Sequence, residues 1–313
     1  MKNWPFYAAG VAWSSIFGLS FLVTKGGLEA FSPFELLFLR FALATFAMTV
    51  LLRFGFASVS YRGKPKLPLI LTCLFQPMIY FICETFGLRE TASSTAGLIL
   101  GALPAVVAAL SAAMLGERLS RLQTAGLCLS VAGVALIVVA GSRGGGTRDS
   151  LRGVLLIVGA LASAGLYNVF SRKASSRYTP VETTFAMMAS GALFFGILAL
   201  VDRRIQGGSG ILARATPAAW GAVAYLGLLS SVLAFFLVNL TLSRLKASQS
   251  SVFGTITTLV ALGAGVAFRG ESFGPIQAAG ALMILAGVWG TNWARVAGAK
   301  GKGGPEASLD PRR

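Results

Sequence analysis

The stretch "GERLSRLQTAG" at 116–126 returns as "GESFGPIQAAG" at 270–280. Glu117 aligns with Glu271, Gln123 with Gln277 and Gly126 with Gly280. The match continues through "AGV" at 132–134 and again at 286–288. Working outward, "SPFE" at 32–35 pairs with "TPVE" at 179–182, and "ETAS" at 90–93 resembles "LKAS" at 245–248. The chain is written twice, and a long internal repeat of this kind constrains the fold before any local reading does.

The sequence between these landmarks is apolar. Mean hydropathy is +0.74, 55% of residues are hydrophobic and 12% are charged, where a soluble domain carries about 25% charged residues. Runs long enough to span a bilayer, about 20 residues each, fall at 4–24, 33–53, 67–88, 91–115, 121–141, 151–171, 181–201, 217–242, 247–268 and 274–296. Their apolarity is continuous and not alternating, which predicts helices and excludes a membrane β-barrel. The first run follows Lys2 but is too long for the core of a signal peptide, so it reads as a retained helix.

The predicted fold is an all-α integral membrane protein with ten transmembrane helices in two five-helix repeats, 1–141 and 151–296. A flexible linker at 142–150 joins them, and a Gly-, Pro- and Lys-rich tail at 297–313 reads as disordered. An odd number of spans per repeat inserts the second copy upside down. Inverted repeats are the signature of carriers whose halves rock about a site near the bilayer midplane.

The paired "GE" turns, the downstream "QxAG" and the doubled order resemble the drug/metabolite transporter (DMT) superfamily, specifically EamA-type permeases, over about 4–296. That resemblance implies a ten-helix basket whose central cavity is lined mainly by the third, fourth, eighth and ninth spans. It also implies export or exchange of small metabolites such as amino acids. One departure is Thr258, where the family often has a proline in the ninth span, as Pro104 stands in the fourth.

The formal net charge is +16, from 27 Lys and Arg against 11 Asp and Glu. The basic residues are scattered over short loops, which argues against nucleic acid. Loops on the side of the termini hold nearly twice the Lys and Arg of the opposite loops. The positive-inside rule then predicts a multi-pass protein of the cytoplasmic (inner) membrane with both termini in the cytoplasm.

Polar residues inside the apolar runs are few. Ser32-Pro33-Phe34-Glu35 reads as a capping box, and Thr179 to Glu182 repeats it. Arg40 has no such explanation: it lies about 10 Å beyond Pro33 at 1.5 Å per residue. It reads either as a structural or snorkelling group or as a fork for a substrate anion. Glu84, in "MIYFICETFGL", is the acidic residue that neither a cap nor a loop accounts for. A carboxyl at such a depth suits proton coupling, and a static pair with Arg40 is the competing reading. Asn239 stands opposite Glu84 in the second repeat, each eight residues before its matching alanine (Ala92, Ala247).

Ser94, Gln249 and Ser250 are further cavity candidates, while Trp13, Tyr80, Tyr167 and Asn168 offer an aromatic, hydrogen-bonding wall. Gly97 and Gly101 read as helix packing. Gln76-Pro77 and Pro104 predict kinks in the third and fourth spans. Glu117 and Glu271 read as turn architecture, with a closing gate contact as the alternative.

The absences limit the function. The chain has no G-x-x-x-x-G-K-[ST] loop for ATP and no histidine. Its three cysteines, Cys73, Cys83 and Cys128, lack metal-ligand spacing. The sequence therefore predicts no catalytic residues, no metal and no cofactor, with a small-molecule substrate and the lipid bilayer as partners. The alternatives to a gradient-driven or exchanging carrier are a membrane-embedded enzyme, for which clustered catalytic residues are missing, and a scaffold or sensor, which gains little from matched halves. Substrate identity, direction, coupling ion and a homodimer are left open by the sequence.

Overall fold

The computed structural model describes residues 4–115, 119–142, 150–206, 216–245, 250, 253–271 and 274–300. Ten helical segments run through them, with no strand among the described residues. They are α1 (Trp4–Gly27), α2 (Pro33–Arg53), α3 (Lys66–Cys73, Leu74–Ile79 and Tyr80–Glu90), α4 (Ser93–Leu100 and Leu103–Leu115) and α5 (Arg121–Ser142). Then follow α6 (Leu151–Ala174), α7 (Pro180–Gln206), α8 (Pro217–Ala224, Tyr225–Ala234 and Phe235–Arg244), α9 (Gly254–Arg269) and α10 (Pro275–Lys300).

Seven of these, α1 to α4 and α6 to α8, are long and apolar enough to cross a membrane; α5, α9 and α10 contribute shorter apolar stretches. The last helix continues past residue 296 to Lys300, into the segment predicted as tail. Residues 143–149 of the predicted linker, residues 301–313 of the tail, Glu117 and Gln249 lie outside the described residues.

Helix starts follow the local chemistry. Ser32 Oγ accepts from the Glu35 N–H, and the Glu35 carboxylate accepts from the Ser32 N–H, with Pro33 opening the helix. The Thr179 and Glu182 pair does the same at 3.2 and 2.9 Å. Ser120 and Gln123 form a third reciprocal cap at α5. Each such cap satisfies amide groups that a helix start leaves open.

Three segments are interrupted. In α3, Gln76 leaves helical geometry (φ −148°, ψ 117°) beside Pro77. Across the wider turn there the Phe75 carbonyl accepts from the Tyr80 N–H, and it also accepts from Ser163 Oγ of α6 at 2.7 Å. In α4 the break falls between Leu100 and Leu103, just before Pro104, whose ring nitrogen has no hydrogen to give the preceding turn. The wide turn Tyr225–Ala234 in α8 has no proline. The described part of α9 is continuous.

The segments pack in matched sets: α2 on α7, α5 on α10 and α4 on α9, with α3 on α6 and α8 on α1. Small residues permit two of these approaches. A Cβ at Gly97 would stand 2.6 Å from Ala261 Cβ, so α4 and α9 touch almost backbone to backbone. In the α5–α10 pair, Gly133 lies against the Gly280 carbonyl and Gly287 against that of Gly126. Short side chains at such crossings let helices pack closely in lipid, where apolar burial itself supplies little drive.

Candidate functional site

A cavity of about 70 Å³ lies where α1, α2, α3, α4, α6, α8 and α9 meet. The resemblance implied the third, fourth, eighth and ninth spans; the structure adds large contributions from α1 and α6. The wall is aromatic. Trp13 meets Phe17 edge-on at 5.8 Å, Phe17 meets Phe235 at 5.1 Å, and Phe235 meets Tyr167 and Phe81 at 6.2 and 6.1 Å. Tyr80 closes the chain of rings against Phe81 at 4.9 Å. Edge-to-face contacts of this kind fix ring orientation, which gives the cavity a defined shape.

Arg40 enters from α2 and is 2% exposed. Its Nε donates to Ser231 Oγ at 2.7 Å and an Nη donates to Ser230 Oγ at 2.8 Å. The guanidinium lies over the Phe81 ring, 4.2 Å from its centroid. Both serines sit in the wide turn of α8 and are fully buried. Two charge-assisted bonds of about 1.5–3 kcal/mol each and a cation–π contact of about 2 kcal/mol when desolvated offset the cost of holding this charge away from water.

Glu84 lines the same cavity and is 2% exposed. It does not pair with Arg40: the ion pairs among the described residues are Lys25–Glu271, Lys64–Glu182, Arg152–Glu90 and Arg269–Glu29. The static Arg40–Glu84 bridge considered from sequence is therefore absent, because Ser230, Ser231 and Phe81 occupy the guanidinium instead. The Glu84 carboxylate accepts one bond, from its neighbour Thr85 at 3.2 Å.

Several other cavity groups are unpaired. The Trp13 indole N–H is buried without a hydrogen-bond partner. Among the described residues the Gln76 amide and the Tyr80 hydroxyl also make no hydrogen bond. Asn168 uses its Nδ2 on the Ala164 carbonyl at 2.8 Å. Native interiors leave few buried polar groups unpaired, and each one costs about 1–3 kcal/mol. An aromatic chamber lined by Glu84, Trp13 and Gln76 suits a small polar ligand with an apolar body.

Asn239 lies behind the wall and not in it. Its Oδ1 accepts from Tyr167 Oη at 3.0 Å and Ser171 Oγ at 2.8 Å, and its Nδ2 donates to Thr184 Oγ1 at 3.0 Å. Ser250 is also apart, sharing a 2.9 Å hydrogen bond with Thr241. Thr258 ties the α9 backbone to α4, donating to the Gly97 carbonyl at 3.0 Å. The structure thus brings Glu84, Arg40, Trp13, Tyr80, Tyr167 and Asn168 together and leaves Asn239, Ser94 and Ser250 outside. Ser230 and Ser231 escaped the sequence reading. The available signal was adjacent hydroxyls in an apolar span, aligned with the Gln76-Pro77 bend of the other repeat.

Two glutamates tie distant parts together. Glu182 accepts from the Ser60 N–H at 2.8 Å and from Lys64 Nζ at 2.7 Å in addition to its own cap. Glu271 accepts from the Ser94 N–H at 2.8 Å and the Ser93 N–H at 2.9 Å, so it caps α4 from the α9–α10 turn; Ser94 itself lies beneath it. Lys25 Nζ is 3.8 Å away. Burial alone would raise this carboxyl, but the Ser94 and Ser93 bonds and the nearby lysine outweigh it and hold the group below its ordinary range.

A family model described as "EamA-like transporter family" matches residues 4–139 and again 151–293. A Bacillus subtilis protein named "Uncharacterized transporter YcxC" is 38% identical over 291 residues, covering 92% of this chain and 93% of its own. A Salmonella typhimurium protein named "Probable amino-acid metabolite efflux pump" is 25% identical, covering 88% of this chain and 90% of its own. One solved crystal structure aligns at TM-score 0.67 and 19% identity over 93% of this chain and 98% of that one, a likeness of fold alone.

Proposed function

Since the chain belongs to the EamA-like transporter family, we propose that it is a secondary carrier that moves small metabolites such as amino acids by alternating access. The observation that carries this reading is the chamber at the junction of seven helices, with Glu84, Trp13 and Gln76 unpaired or nearly so in its wall. Several such groups gathered around one chamber suit a binding site better than a packed core.

Two inverted five-helix repeats frame the chamber in this reading. The α5–α10 crossing supports them: Gly133 packs on Gly280, and their repeat counterparts Gly287 and Gly126 pack on one another. Such reciprocal contact is what a two-fold axis between the halves produces. The family model's two separate matches support the same division. Loop charges support cytoplasmic termini in the inner membrane, and the relatives' names support outward movement. Glu84 is the proton or substrate-ammonium group in this mechanism, and Trp13, Tyr80, Gln76, Tyr167 and Asn168 position the substrate. Arg40 holds α2 to the wide turn of α8.

Counterflow in proteoliposomes with a panel of radiolabelled amino acids, with and without a pH gradient, tests the proposal. Uptake that follows the gradient is the expected result. Uptake indifferent to the gradient would reduce the mechanism to exchange or facilitation, and no uptake across the panel would overturn the substrate class.

A further inference from the structure

Beyond one end of the cavity, Glu271 ties the two halves of the chain together. Its carboxylate belongs to the short turn between α9 and α10, in the second half of the chain. Both its oxygens are spent on the first half: Oε2 on the Ser94 N–H at 2.8 Å and Oε1 on the Ser93 N–H at 2.9 Å. The turn is shaped for this. Gly270 ends α9 at φ 58°, a left-handed geometry that favours glycine. The Glu271 N–H then folds back onto the Gly265 carbonyl at 3.2 Å. The carboxylate lies so close over Gly265 that a Cβ there would collide with it. Lys25, at the end of α1, stands beside the same carboxylate, and Arg269 and Glu29 bridge α9 to the α1–α2 turn at 2.8 Å.

These contacts gather the ends of α1, α4 and α9 at one level. Thr257, on the cavity wall, is eight residues from Gly265 along α9, so the tie lies about 12 Å from the chamber at 1.5 Å per residue. The helix start offers two free N–H groups and the positive end of its dipole, which suits a carboxylate. Beneath it the Ser93 hydroxyl is buried without a hydrogen-bond partner.

Building on the carrier reading above, we infer that Glu271 is a gate residue: its bidentate grip on the start of α4 latches one end of the transport cavity and must release for that end to open. The same glutamate serving only its own turn would have no reason to reach across the halves. The turn's own start is served by Gln277, whose side chain accepts from the Gly274 N–H at 2.8 Å.

The test uses the full chain in proteoliposomes with a reporter cysteine, Ser20→Cys, on the cavity wall, labelled by a membrane-impermeant maleimide. The expected result is that Glu271→Gln raises the labelling rate at least tenfold over the reporter alone. Unchanged labelling overturns the latch. A second variant guards against misfolding: Ser94→Cys with Glu271→Cys replaces the latch by a bond that an oxidant closes and a reductant opens. Oxidation should abolish counterflow and reduction restore it; equal counterflow in both states overturns the latch. The labelling readout needs no substrate, so it decides the latch even where no tested metabolite is carried and the carrier reading itself fails.

Discussion

Glu84 and Asn239 occupy equivalent places in the two repeats, eight residues before matching alanines, and both are 2% exposed. Their surroundings are opposite. Asn239 is held by Tyr167, Ser171 and Thr184; Glu84 has one long bond from its neighbour. The matching position is used once to close a wall and once to present a carboxyl to a chamber. The internal sequence similarity aligns the two positions, and their single side chains make the surroundings chemically unequal. In the carrier proposed above, that inequality would leave a ligand one titratable group to find and not two.

The largest expected effect falls on the closed side. Asn239→Leu leaves the buried Tyr167, Ser171 and Thr184 hydroxyls without their shared partner. Stability should fall by about 2–4 kcal/mol, at about 1–3 kcal/mol per unsatisfied group with partial repair by local backbone carbonyls. Unfolding of the detergent-solubilised protein measures this. Transport per folded molecule should change less than about threefold. A fully stable variant with lost transport would place Asn239 in the substrate path and erase the contrast.

Arg40 comes next. Arg40→Lys keeps the charge but loses the planar fork that reaches both Ser230 and Ser231 while lying over Phe81. A loss of about 1–2 kcal/mol in stability is expected from one charged hydrogen bond and part of the cation–π contact. Arg40→Met should lose more stability, yet both variants should show similar substrate affinity in counterflow. A clear affinity gap between Lys and Met would mean that the guanidinium also grips substrate.

On the open side the order of effects reverses. Glu84→Gln removes a carboxylate that supports little of the fold, so unfolding should shift by less than about 0.5 kcal/mol, the low end for one hydrogen bond. Gradient-driven transport should fall at least tenfold, about 1.4 kcal/mol in the coupling step. A variant that transports normally but folds poorly would return Glu84 to a structural role.

Much of this contrast was legible in the sequence, and its limits have physical causes. Ten apolar runs and ten helical segments correspond because hydrophobic length is local information. The bends at Gln76-Pro77 and Pro104 were visible because proline acts on its own turn. The wide turn in α8 was not, since Tyr225–Ala234 holds no proline and its shape answers to the Arg40 side chain bonded into it. Burial of Glu84 and Arg40 was foreseeable; their separation was not, because it depends on serines about 190 residues further along the chain than Arg40. Glu271 shows the same limit. Its motif announces a turn, while its partners, Ser93 and Ser94, are set by how the halves dock.

The smallest effect sharpens the comparison from outside the membrane. Glu271, unlike Glu84, has both oxygens engaged and Lys25 nearby, and its carboxyl is held below the ordinary glutamate range. A group whose folded value is depressed contributes stability that is fully present above its unfolded value, about 4.3 for glutamate, and is lost as pH falls through the folded value. The difference in melting between the parent chain and Glu271→Gln should therefore stay constant from pH 8 to pH 5. It should shrink only under more acid conditions, while Lys25 remains charged throughout. Gradient-driven transport is the separate readout, lost in Glu84→Gln if Glu84 is the coupling group. A Glu271 difference that already fades between pH 8 and pH 6 would mean that the gate, and not the chamber, senses the proton.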